Sequence, residues 1–159
     1  RFDGKWYLFY IAGRKWKVID GKPDNPVYKI RMATSLDGYK WEKENRDLLP
    51  SRLEEDEAQS GPDVIYAGGK YHMFFCYRRS TDYRGREGGL RIGYASSDDL
   101  LQWVRDDSKA GIGVSETGWD SEMARYPHVF ELDGKTYMLY NGNDFGRNGF
   151  GLARLDGEL

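Results

Sequence analysis

The chain has 159 residues, 39% hydrophobic and 31% charged, with a mean hydropathy of −0.78. That length suits one domain, and no apolar run approaches the ~20 residues of a membrane span. With 24 basic against 26 acidic residues and a pI near 5.8, neither a nucleic-acid nor a membrane partner is expected.

In chain order, Asp3-Gly4 is a hairpin signal feeding the apolar run Trp6-Tyr7-Leu8-Phe9-Tyr10, and a long loop is expected over Ala12–Val27. Ile30–Ser35 reads as a strand, Asp37-Gly38 as a tight turn before Trp41, and residues 45–61 as a second long loop. A four-strand set follows at about Pro62–Ala67, Lys70–Arg78, Leu90–Ser97 and Gln102–Asp106, with turns at Gly68-Gly69 and Asp98-Asp99. Arg79–Gly89 is a basic loop, residues 107–126 are another long loop, and Pro127–Phe130 opens the last set. Asp133-Gly134 turns into Lys135–Tyr140, Gly142–Asn148 is a loop, and Phe150–Asp156 is a shortened closing copy.

The hairpin glycines at 4, 69 and 134 are 65 residues apart, as are Pro62 and Pro127. Ile30–Trp41 and Ile92–Trp103 repeat at 62. Aromatics at 15% and 20 glycines fit short strands joined by tight turns. The expected fold is an all-β propeller of about two and a half to three four-stranded blades, with repeats near 1–44, 62–106 and 127–159. The first copy lacks its opening strand and the last its closing strand. Arg1 opens the chain inside an apparent strand, without Met or a signal-peptide pattern, so a fragment is expected and the compartment stays open. Alternate connections within a blade share a face, so all the long loops fall on one side, where binding groups concentrate.

Ser35-x-Asp37-Gly38-x-x-Trp41, set before an opening strand of Pro-x-Val type, resembles the five-bladed propellers of glycoside hydrolase families 32 and 43. Gly118–Phe130 and Tyr137–Gly151 are similar to the uncharacterised glycosidase-like relatives of those families. The resemblance covers essentially the whole chain and implies a glycoside hydrolase working through paired carboxylates, or a related phosphorylase. Two departures stand against carrying catalytic roles over. Five such repeats need on the order of 300 residues, and the families' general acid, two positions before the opening-strand proline, is replaced by Ser60 and Arg125. The families' base or nucleophile, in their first blade, falls upstream of Arg1.

The candidate acids are Glu122, Glu57 and Asp120, with Asp56 beside Glu57. Glu122 leads them, because Trp119, Arg125 and Tyr126 surround it, and a half-desolvated carboxyl holds its proton longer. Candidate substrate contacts are Asp63, His128, Arg125, Tyr126, Trp119, Arg78, Arg79, Asn141, Asn143 and Asp144. Arg78 and Arg79 offer forks for an anionic sugar or phosphate; the plainer alternative pairs that loop with Asp56 and Glu57. His72 and Cys76 read as packing residues, and Asp37, Trp41, Asp98 and Trp103 as structural. With one cysteine and no Cys/His cluster, no disulfide, metal or cofactor is expected. A carbohydrate ligand and either a homodimer or contact with missing upstream blades complete the expectations. A non-catalytic glycan- or protein-binding propeller module, or an inactive remnant, is the alternative.

Overall fold

A computed structural model describes the backbone of residues 1–159 and the side chains of all but 19 and 22–24. Strand accounts for 49% of residues and helix for 7%. Three antiparallel sheets follow one another along the chain. The first holds β1 (Trp6–Ile19), β2 (Lys22–Ser35) and β3 (Glu42–Lys43). The second holds β4 (Ala58–Ala67), β5 (Lys70–Arg78), β6 (Arg91–Ser97) and β7 (Val104–Arg105), with the short turn α1 (Gly85–Gly88) between β5 and β6. The third holds β8 (Arg125–Leu132), β9 (Lys135–Asn141) and β10 (Phe150–Arg154), with α2 (Asn143–Gly146) between β9 and β10. This is a partial β-propeller with one complete four-stranded blade.

Side-chain alternation along β5 ties the sheets together, because successive residues face opposite sides of a strand. Met73 and Phe75 enter a core with Ile30, Met32, Leu100 and Trp103, between the first and second sheets. Phe74 enters a second core with Ala124, Val129 and Met138, between the second and third. Each fully buried side chain of this size contributes roughly 1.5–3 kcal/mol.

The turns follow their sequence signals. Asp3-Gly4, Gly68-Gly69 and Asp133-Gly134 all have both φ values positive, as two-residue turns between right-twisted strands require. Asp20-Gly21 has the same conformation. That Asp-Gly signal joins β1 to β2, so Ala12–Val27 is a long paired hairpin and not the expected loop. Asp37 Oδ1 accepts from the amides of Tyr39 and Lys40, both at 2.8 Å. In the second copy the matching acid is Asp99, which accepts from Leu101 and Gln102; Asp98 pairs instead with Lys70.

The opening strands start earlier than expected, at Ala58 and Arg125, and each carries a bulge before its proline position closes. Lys15 and Lys17 of the first hairpin meet Asp56. Glu54 accepts from Ser80, Arg86 donates to the carbonyls of Ser115 and Ser121, and Asn143 N donates to Trp119 O. These contacts gather the long connections on one face.

Candidate functional site

On that face the three sheets border a half-open cavity of about 710 Å³. The first hairpin contributes Tyr10 and Tyr28, β4 and β5 contribute Ser60, Gly61 and Arg78, and the third sheet contributes Arg125, Tyr126 and Phe145. Tyr83, from the basic loop, closes the side. No carboxylate lines the cavity among the described residues.

The bulges in β4 and β8 shape this wall. Gly61 and Tyr126, one repeat apart, both take left-handed backbone, with φ of 57° and 53°. Glycine does so freely and tyrosine at a cost, and bulges re-aim side chains beside functional sites. Tyr126 N donates to Cys76 Sγ at 2.9 Å, which anchors the bulge to the buried thiol. Burial raises that thiol to about 11, so Cys76 is a packing residue.

Arg125 is 3% exposed and lies between two rings, 3.8 Å from Tyr126 and 4.1 Å from Phe145. Its Nη2 donates to the Tyr126 hydroxyl. Arg78 stacks on Tyr83 at 4.0 Å and donates to the carbonyls of Arg79 and Pro26. Burial lowers both guanidiniums, and Arg125 lowers Arg78 further. Arg79 itself is exposed.

The other expected site residues fall elsewhere. Glu57 has no exposed side-chain surface and meets Arg105 at 2.5 Å, with Gln59 Nε2 and the amides of Arg52 and Leu53 donating to it. Burial pushes its carboxyl up, but Arg105, Gln59 and Arg52 outweigh that, so the net position is low. An acid so paired is a fold anchor and does not hold a proton for transfer. Asp120 accepts from the Tyr140 hydroxyl at 2.8 Å and is buried. Burial, then that hydrogen bond, raises the Tyr140 phenol to about 12. Trp119 packs on Tyr140, with ring centroids 5.2 Å apart, above Gly142 and Gly151.

Glu122 is half-buried, and its carboxylate has no hydrogen bond or ion pair among the described residues, yet the cavity wall is built without it. Its backbone is pinned: the amide donates to Asn143 Oδ1 at 2.7 Å and the carbonyl accepts from Arg91. Asn143 is spent on that staple, and Asn141 donates to Gly149 O. Asp144 sits on the exposed α2 turn. His128 and Asp63 do meet, Nδ1 to Oδ2 at 3.4 Å, and the same Asp63 oxygen accepts from Val129 N at 2.5 Å. The acids expected to neutralise the basic loop are engaged elsewhere, Asp56 by two lysines and Glu57 by Arg105.

Solved structures that share this fold include glycoside hydrolases. A family 117 glycoside hydrolase of Zobellia galactanivorans superposes with a TM-score of 0.75 at 21% identity, covering 98% of this chain and 49% of that one. A thermostable family-43 glycoside hydrolase gives 0.70 at 20% identity, covering 99% and 53%. The chain has the fold of the glycoside hydrolase propellers.

No protein-family model matches the chain. An uncharacterised protein of Mycobacterium tuberculosis is 37% identical over 153 residues, 96% of this chain and 48% of that protein. A beta-1,2-mannobiose phosphorylase of Thermoanaerobacter sp. is 31% identical over 96 residues, 55% of this chain and 31% of the enzyme. The chain spans about half the length of the Mycobacterium relative.

Of the expected contacts, the structure brings Arg78, Arg125 and Tyr126 together in one cavity. Tyr10, Tyr28, Tyr83 and Phe145 were not expected there. Aromatics in the connections beyond the repeat were the signal for the last two. Tyr10 and Tyr28 share the face of one hairpin only once its Asp20-Gly21 turn is read.

Proposed function

We propose that the protein binds carbohydrate in the inter-sheet cavity, as part of a five-bladed propeller enzyme that cleaves glycosidic bonds with paired carboxylates. The ring of aromatic side chains around that cavity carries the reading: Tyr10, Tyr28, Tyr83, Tyr126 and Phe145. Sugars present apolar C–H faces that stack on such rings, while their hydroxyls take hydrogen bonds from a few placed polar groups. Glu122, beside the cavity lining and not in it, is the acid in this reading, since Glu57 is paired with Arg105 and Asp120 with the Tyr140 hydroxyl. Hydrolysis and phosphorolysis differ in whether water or phosphate attacks the anomeric carbon, and likeness to a mannobiose phosphorylase supports keeping both.

Calorimetric titration with a panel of neutral and anionic oligosaccharides tests the reading, with Tyr126→Ala as the control. Binding of at least one glycan, weakened by the substitution, supports it; no binding across the panel overturns it. One observation favours a second reading, a non-catalytic glycan-binding module: the cavity lining holds no carboxylate among the described residues. Under that reading glycans bind and Glu122→Gln alters no activity.

A further inference from the structure

A guanidinium taken out of water needs a counter-charge or a full set of acceptors, because its desolvation is otherwise uncompensated. The chain meets that requirement at two sites. Arg105, fully buried, is held by Glu57 at 2.5 Å and Asp107 at 2.9 Å. Arg91, half-buried, donates to the carbonyls of Arg86, Gly89, Leu90 and Glu122.

Arg125 meets it in neither way. Among the described residues its Nε and Nη1 are buried without a hydrogen-bond partner, and Nη2 reaches only the Tyr126 hydroxyl. Arg78, on the same cavity, has two backbone carbonyls and no carboxylate within ion-pair reach among the described residues. The facing rings of Tyr126, Phe145 and Tyr83 offer the negative faces of neutral groups, which attract a cation without cancelling its charge. Asp56 is engaged by Lys15 and Lys17, Glu57 by Arg105 and Glu54 by Ser80, and Glu122, whose carboxylate has no partner among the described residues, stands outside the cavity lining. The two residues covering Arg125 also hold left-handed backbone, with φ of 53° at Tyr126 and 60° at Phe145. Such strain in bulky residues gathers at ligand clamps more than in plain packing.

We propose that Arg78 and Arg125 form an oxyanion site in this cavity, for the phosphate or carboxylate of a charged sugar, or for inorganic phosphate bound beside a sugar. The planar forks suit two-pronged recognition of such groups, and the aromatic walls suit the ring that carries or accompanies them. The inference rests on the reading of the cavity as the carbohydrate site, and it narrows the ligand class.

The test is calorimetric titration of the chain with inorganic phosphate, glucose 6-phosphate, glucuronate and glucose, repeated with Arg125→Gln and Arg78→Lys. At least one anion is expected to bind ten-fold or more tightly than glucose, with affinity falling as salt rises. Arg125→Gln is expected to weaken that anion about 10–100-fold, the range for charge-assisted hydrogen bonds. Preference among the three anions identifies the source of the charge. In the unliganded state Arg125→Gln is expected to melt no lower than wild type, since it removes an uncompensated buried charge. A purely structural arginine would lower the melting temperature and leave anion binding unchanged, which overturns the proposal. If Arg125→Gln does not fold, Arg78→Lys carries the same comparison. Neutral glycans binding while every anion is ignored removes the oxyanion site and leaves the carbohydrate reading standing. Phosphate binding with no affinity for any sugar does the reverse.

Discussion

Arg105 and Glu57, 48 positions apart in sequence, close a 2.5 Å ion pair with neither side chain exposed. The pair ties the loop before β4 to the end of β7, and Arg105 also lies over Phe75 and Tyr77. Replacing one partner leaves the other charged and enclosed. Because Asp107 remains at 2.9 Å as a counter-charge for Arg105, Glu57→Gln is expected to lower unfolding free energy by about 1.5–3 kcal/mol, the range for a lost charge-assisted hydrogen bond, measured by urea denaturation. A loss below about 1 kcal/mol would mean that the pair is not sealed from water.

Acid should find the same weakness. Glu57 titrates below its ordinary value in the folded chain, despite burial, because Arg105, Gln59 and Arg52 favour its charged form. A depressed folded value adds stability above the unfolded pKa, near ~4.3 for glutamate, and that stability is lost as pH falls through the folded value. Glu54 is lowered as well, chiefly by the Ser80 amide. Stability is therefore expected to hold from neutrality to about pH 5 and to drop steeply below about pH 4. In Glu57→Gln the drop should be shallower, which circular dichroism across a pH series can follow.

Gly142 lies against Trp119. A Cβ built there would sit 2.3 Å from the Trp119 carbonyl oxygen and 2.5 Å from its ring. Gly142→Ala should displace the indole and cost about 1–3 kcal/mol. The tryptophan fluorescence maximum should move to the red. An unchanged spectrum and midpoint would show that the loop yields freely.

The end sheets leave apolar side chains in water: Trp6, Leu8, Ile11 and Trp16 on β1, Leu132 on β8, and Phe150 and Leu152 on β10. Faces of this kind are seldom left uncovered. The chain is expected to form a homodimer at micromolar concentration, read by light scattering, and Leu8→Glu should shift it toward monomer. A monodisperse species of 18.4 kDa would refute this.

Aryl-glycoside turnover by this chain alone is expected to stay near background under the proposed reading, because no carboxylate among the described residues lines the cavity to act with Glu122, and one such group contributes roughly 10²–10⁴-fold. Measurable turnover should fall by that factor in Glu122→Gln. Turnover that survives the substitution removes Glu122 from the chemistry.

The sequence by itself determined the architecture. Turn glycines and opening-strand prolines spaced by 65 residues, with period-two strands between them, fix the succession of sheets and their tight turns, although the opening strands begin ahead of their prolines and Ala12–Val27 pairs as a hairpin. These are local properties, written residue by residue. Pairing between distant charges was not legible in the same way. Nothing in the chain order says that Glu57 belongs to Arg105 or that Asp120 is held by Tyr140. Only the tertiary structure decided which acids are already neutralised, and so which arginines are not. Burial assigns that difference: a carboxylate and a guanidinium behave alike in sequence whether solvated or enclosed, but once enclosed each must find a counter-charge, and Arg125 finds none within the described residues.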